Sequence, residues 1–252
     1  MKLTPYYDDP LFDYKQYWQA RQYENRADQL ALKRLLSLTP QAKKLIDIGV
    51  GFGRLTRCYH RHAAACTLVD PSQKMLDQTR QNCRRQKNLT LVKAFVENLP
   101  FPEASFDTAI MVRTFHHLKE PERALAEVAR VLKPQGYLIL EFANKIHFKA
   151  QLRAWLQGTV GRLHTLKPAP VGQERQAKVP FLNYHPQHVI RLLKKHRFQI
   201  IQTLSVSNFR NPICKKLLPL SFLLFLEKIS QKPYAAFWPG PSIFILAKKA
   251  DN

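Results

Sequence analysis

The 252-residue chain is 45% hydrophobic and carries 40 Lys+Arg against 18 Asp+Glu, a formal net charge of +22. That apolar content excludes a disordered tail. The charge selects anionic partners such as nucleic acid, anionic lipid headgroups or acidic metabolites, but basic residues run from Lys2 to Lys249, so a sign follows and not an identity.

The opening residues, MKLTPYYDDP, lack the apolar core of a signal peptide. Cys58, Cys66, Cys83 and Cys214 form no CxxC pair, so reduced thiols in the cytoplasm are expected, with neither a disulfide framework nor a metal site. The uncharged, leucine-rich run Leu217 to Leu226 is half the length of a bilayer span. It can still lie on a membrane surface, so peripheral contact with an anionic membrane stays open.

In chain order, Tyr14 to Leu36 lacks Pro and Gly and reads as one or two helices. A strand over Lys44–Ile48 runs into GVGFG, followed by a helical stretch Arg54–His62. Cys66–Val69 reads as the next strand, ended by Asp70 and Pro71, and Ser72 is placed to cap a helix through Arg85. The alternation continues with strand Leu89–Ala94, strand Phe106–Val112, helix Glu122–Leu132 behind Pro121, a turn at Lys133–Gly136 and strand Tyr137–Phe142. Helices Phe148–Gln157 and Pro186–Lys195, strand Phe198–Leu204, a cap helix within Pro212–Ser230 and a last strand Ile243–Ala247 complete the reading. Strands alternating with helices predict an α/β fold whose sheet is mostly parallel and covered on both faces.

The chemistry concentrates in Asp47-Ile48-Gly49-Val50-Gly51-Phe52-Gly53-Arg54. Three of only eight glycines fall within five residues where a strand turns into a helix, a place for bare backbone to meet a ligand. A dinucleotide fingerprint would need glycine where Arg54 stands, and the Asp47 carboxylate beside the loop suits a cationic ligand better than a pyrophosphate. Asp70, at the end of the second strand, is placed to accept hydrogen bonds from ribose hydroxyls.

The motifs DIGVGFGRL, LVDPSQKML, VENLPFPEASFDTAIM, FHHL and RVLKPQGYLIL resemble those of class I S-adenosylmethionine-dependent methyltransferases, particularly the ubiquinone and menaquinone biosynthesis branch. The resemblance covers roughly residues 10 to 145. It implies a Rossmann-like, seven-stranded sheet with the last strand antiparallel, helical cap insertions, and S-adenosylmethionine as cofactor. It places Asp47, Gly49, Gly51 and Gly53 at the methionine end, and Asp70, Pro71, Ser72 and Met75 around the ribose. Val96 and Glu97 then flank the adenine, and Arg113 lines the methyl-transfer site. One departure is evident: the third strand ends in Ala94-Phe95 where the family often has Gly-Asp, removing a usual partner of the adenine amino group.

The division expected is a single domain: an N-terminal helical lid (1–40), a cofactor-binding core (41–145) and substrate-side insertions (146–196 and 206–240). Tyr17 and Arg21 are lid or substrate candidates one helical turn apart. His116 and His117 follow a strand facing the pocket, but no catalytic base is assigned. Basic Arg162, Lys167, Arg175 and Lys178 would suit a phosphate-bearing acceptor. The expected acceptor is a small or lipid-like molecule. An RNA methyltransferase is the alternative that charge favours, without a separate RNA-binding domain or an (N/D)PPY sequence to support it. A binding module that has lost turnover is the third reading.

Overall fold

The computed structural model describes residues 14–170 and 181–251. Seven strands form one sheet: β1 (Ala42–Ile48), β2 (Ala63–Asp70), β3 (Leu89–Lys93), β4 (Phe106–Met111), β5 (Leu132–Ala143), β8 (Phe198–Val206) and β9 (Ser242–Lys249). Two two-residue strands, β6 (Ala169–Pro170) and β7 (Leu182–Asn183), pair apart from it. The sheet order is β3-β2-β1-β4-β5-β9-β8. Only β9 runs antiparallel, to β5 on one side and β8 on the other, so the α/β fold is Rossmann-like with its last strand reversed.

Successive residues along each strand feed opposite faces, which is why the strands read as continuous apolar runs. In β9, Ile243, Ile245 and Ala247 join the core beneath α5 (Pro121–Val131) and α8 (Pro186–Lys195). Phe244 and Leu246 join the opposite core, beneath α2 (Gln22–Leu36), α3 (Thr56–Tyr59) and α4 (Gln73–Asn82). Before α2 lies α1 (Tyr14–Gln19). The remaining helices are α6 (Phe148–Leu156), α7 (Val160–Leu163), α9 (Pro212–Leu217) and α10 (Leu220–Ser230).

Boundaries depart from the sequence reading where tertiary contacts override local signals. The stretch Arg54–His62 keeps only one helical turn, α3, because the glycine loop extends to Arg54. The turn expected at Lys133–Gly136 is absorbed into a twelve-residue β5, with Gln135 at φ 62° and a register shift against β4. The cap helix is two helices, since Pro219 cannot continue α9 and instead precedes α10. Arg175 and Lys178 lie outside the described residues.

The cap is tied to the core by one buried carboxylate. Glu227 of α10 accepts from the Tyr23 hydroxyl of α2 (2.6 Å), from the Ser207 and Asn208 backbone N–H groups (2.8 and 3.0 Å) and from the Gln231 amide (3.2 Å). Glu227→Ala leaves all four donors buried without that acceptor, and a loss of about 3 kcal/mol is expected in urea unfolding. Glu227→Gln, which keeps one acceptor oxygen, should lose less; equal losses would show the pairing to be unimportant.

Candidate functional site

The parallel strands end together, and the strand order reverses between β1 and β4, where such folds open a crevice. β1 delivers Gly49, Gly51 and Gly53 there, at φ 77°, 57° and 77°, a region that side chains resist. A Cβ on Gly49 would stand 2.0 Å from Thr114 Oγ1, so the loop requires a glycine at this position. The Thr79 hydroxyl and the Asn82 amide of α4 donate to the loop carbonyls of Gly51 and Phe52 (2.7 and 2.8 Å). Asp70, at the tip of β2, accepts from Gly51 N–H and Ser72 N–H, each at 2.9 Å, and Ser72 caps α4 through Met75 N–H. The carboxylate thus joins the glycine loop to the start of α4.

Asp47 points from β1 into the face beneath α3, where it accepts the hydroxyl of fully buried Tyr59. Burial pushes its carboxyl up to about 7, with Asp70 adding to the effect while Tyr59 and Arg54 oppose it. The buried Tyr59 phenol is in turn held well above its ordinary range by burial and by Asp47.

Beside these acids lies an ion-pair network. Asp28 of α2, fully buried, receives Arg54 (2.8 Å) and two nitrogens of Arg113 (2.9 and 3.2 Å). Glu141 of β5, also fully buried, receives the Arg113 backbone N–H (2.7 Å) and the Ser242 hydroxyl, with the Arg113 guanidinium 3.6 Å away. Arg113 adopts φ 62° to make these contacts. Burial works against its charge, but Asp28 and Glu141 outweigh burial and raise its pKa. Burial moves Glu141 the same way, against the pull of Arg113.

The N-terminal helix covers the crevice. Tyr14 lies against Phe52 and Trp18 (centroids 5.7 and 6.2 Å), and Trp18 carries the Arg54 guanidinium 3.7 Å above its ring. Met75 and Phe52 complete this cluster. Between Tyr14, Asp47, the glycines and Arg113 a space of about 20 Å³ remains, room for one water. The acids and the bare backbone suit an adenosine carrying a cationic amino-acid tail.

Of the other expected residues, Pro71 and Glu97 are half-buried and Val96 is buried, while Phe95 is 47% exposed beside the end of β2. Ala94 N–H donates to Asp70 O (3.3 Å), which holds Phe95 near the tip of β2. Arg21 places its guanidinium 4.2 Å from the Tyr17 ring, although it caps α2 and does not share a helix with Tyr17. His116 and His117 form a short turn at the end of β4, their rings 4.2 Å apart. His116 is buried, and its Nδ1 has no hydrogen-bond partner among the described residues. Burial, with His117 and Arg113 nearby, holds His116 well below its ordinary pKa and therefore neutral.

Sequence reasoning missed Asp28, Glu141 and Tyr59, and treated Arg54 only as the residue that breaks a nucleotide fingerprint. A signal existed for Glu141, an acid inside the apolar run Tyr137-Leu-Ile-Leu-Glu-Phe-Ala143. It missed Tyr184 as well, whose buried hydroxyl has no hydrogen-bond partner among the described residues and whose ring lies 4.9 Å from Phe115.

Residues 46–140 match the methyltransferase-domain family. A demethylmenaquinone methyltransferase of Tropheryma whipplei is 36% identical over 135 residues, 53% of this chain and 56% of that protein. A ubiquinone biosynthesis O-methyltransferase of Coxiella burnetii is 25% identical over 142 residues, 56% and 58% of the two chains. The chain thus spans about half the length of the curated relatives it matches. An S-adenosylmethionine-dependent methyltransferase from Thermotoga maritima shares the fold, with TM-score 0.60, 23% identity and 94% of each chain covered.

Two predictions follow from the buried charges. Asp28→Ala strands Arg54 and Arg113, so urea unfolding should show a loss of about 3–5 kcal/mol; a loss under 1 kcal/mol would remove the network from the account. Asp47 holds its proton more tightly folded than unfolded, so its contribution is full below about pH 4 and disappears as pH rises through about 7. Wild-type protein should therefore lose roughly 2–4 kcal/mol more than Asp47→Asn between pH 4 and pH 8. Parallel profiles would mean that Asp47 is ionised throughout.

Proposed function

We propose that the chain, whose residues 46–140 match a methyltransferase-domain family, is a class I S-adenosylmethionine-dependent methyltransferase that transfers a methyl group to a small, lipid-like acceptor. The observation that carries this reading is the Asp70 carboxylate bound to the Gly51 and Ser72 N–H groups beside a glycine loop in left-handed conformation.

Bound in this crevice, S-adenosylmethionine supplies both the methyl group and its leaving group, so the reaction asks the protein mainly for alignment and exclusion of water. Asp70 would receive the ribose hydroxyls on the lone pairs its backbone donors leave, and Asp47 would hold the ammonium beside Gly49 and Gly51. Pro71, Ser72 and Met75 would border the ribose. Val96 would pack near the adenine, with Glu97 as an acceptor and the Phe95 ring as a stacking surface in place of the missing acid. Arg113 fixes the wall of the transfer site through its ion pairs and so is committed to structure. The Tyr14–Trp18 segment acts as the lid, opening to admit ligand and closing to exclude water.

If the acceptor is a hydroxyl, neutral His116 is the group that would take its proton. An apolar, quinone-related acceptor is consistent with the names of the two relatives, and it would be met at the cytoplasmic face of a membrane. No helix among the described residues is long and apolar enough to cross one. The RNA alternative gains nothing from the site, whose arginines are bound to carboxylates.

Calorimetric titration checks the cofactor. S-Adenosylmethionine and S-adenosylhomocysteine should bind in the micromolar range, with NADH inert. Asp70→Ala should weaken binding at least tenfold, about 1.4 kcal/mol, with thermal unfolding confirming that the variant is folded. NADH binding, or indifference to the substitution, would defeat the assignment.

A further inference from the structure

The helices of the cap wear their apolar residues outward. In α6, Phe148, Leu152 and Trp155 recur at i, i+4 and i+7 and are all exposed, Trp155 by 70%, while Ala154 alone is buried. In α10, Leu223 and Glu227 face the core, and Phe222, Phe225 and Ile229 project the other way, with the two phenylalanine rings 6.5 Å apart. Between them in sequence, α9 buries nothing and exposes Ile213 and Leu217.

These helices are brought to the same side. Phe148 N–H, at the start of α6, donates to the Pro239 carbonyl (2.9 Å), two residues from exposed Phe237. Arg210, just before α9, lies within electrostatic reach of His147, just before α6. Lys215 of α9 pairs with Glu24 of α2 at 3.0 Å, which sets this side against the helix that follows the one covering the crevice.

The charge around this surface is one-sided. Helices α6, α9 and α10 carry Lys149, Arg153, Lys215, Lys216 and Lys228 against a single acid, Glu227. Glu227 is fully buried in its hydrogen-bond network. Exposed Lys149 and Arg153 interleave with the apolar stripe of α6, while Lys216 and Lys228 flank those of α9 and α10. Aromatic and aliphatic side chains directed outward among cations, with almost no acid, match an interface of anionic headgroups over acyl chains.

We propose that α6, α9 and α10 form a docking face for an anionic lipid bilayer, seating the crevice beside the surface from which an apolar acceptor is drawn. The face deepens the lipid-like reading of the acceptor and rests on that reading only for its purpose, because docking itself needs no turnover.

The test is co-sedimentation of the full chain with vesicles of phosphatidylcholine alone or with phosphatidylglycerol at 40 mol%, a composition of roughly cell-like charge. The full chain should bind the charged vesicles at least tenfold more tightly than the neutral ones, and 0.5 M salt should weaken that binding. Phe222→Ser/Phe225→Ser should reduce binding tenfold or more while leaving the thermal midpoint and S-adenosylmethionine binding unchanged. Quenching by brominated acyl chains should reach Trp155 and fall sharply in Trp155→Phe. Failure to sediment with either vesicle, or sedimentation that ignores lipid charge and the double substitution, overturns the proposal. Self-association in light scattering that the double substitution abolishes overturns it in favour of a second copy as occupant. Single-stranded RNA competing the charged vesicles away as well from the double variant as from the wild type also overturns it. None of these outcomes bears on cofactor binding, so loss of the docking face would leave methyl transfer standing.

Discussion

Two arginines and two carboxylates withdrawn from water under the glycine loop set the terms for the rest of the site. Removing each ion from water costs several kcal/mol, returned only when partners are held in good geometry. Asp28 is fixed by α2, Arg54 by the end of the loop, Arg113 by the turn after β4 and Glu141 by β5. None of these elements can shift without separating charges in a low-dielectric interior. The crevice keeps its shape because its floor is electrostatically locked, and the left-handed Arg113 backbone is a small strain held in place by that lock.

The network is neutral in itself, two positive groups against two negative ones, and so contributes little field of its own to the crevice. On the proposed reading, the two acids outside the network, Asp47 and Asp70, would decide what binds. Asp70 is oriented by backbone donors and, on the proposed reading, would accept hydroxyl groups. Asp47, buried against a tyrosine, sits at the edge of ionisation near neutral pH. A cation placed beside Asp47 would favour its charged form, so the ligand would complete the electrostatics of the site. The Arg54 guanidinium serves twice, pairing with Asp28 below and carrying Trp18 above, so the lid rests on the lock.

The sheet was largely legible because its signals are local. Apolar runs bounded by Gly, Pro and Asp located every strand of the large sheet to within a few residues, and Ser72 and Pro186 marked helix starts where the structure has them. The glycine loop and Asp70 could be read for the same reason, since strand, turn and helix follow one another directly. The ion-pair partners could not. Asp28 and Arg113 are 85 residues apart, and no spacing rule joins them. Lengths failed where a distant strand or loop recruited neighbouring residues, as β5 took in Lys133–Gly136 and the loop took Arg54 from α3.

The cap exposes a deeper limit of pattern reading. A stripe at i, i+4 and i+7 states that a helix has an apolar face, but not whether that face meets its own protein. For α5 and α8 it does, because both lie over open sheet. By the time α6, α9 and α10 are placed, both faces of the sheet are covered by α2 to α5 and α8. α10 meets α2 largely through Glu227 and its donors, a polar seam that leaves its phenylalanines on the far side. A helix anchored by hydrogen bonds on one face and apolar on the other is inverted relative to an ordinary surface helix. That inversion makes sense where the medium beyond the protein is itself apolar.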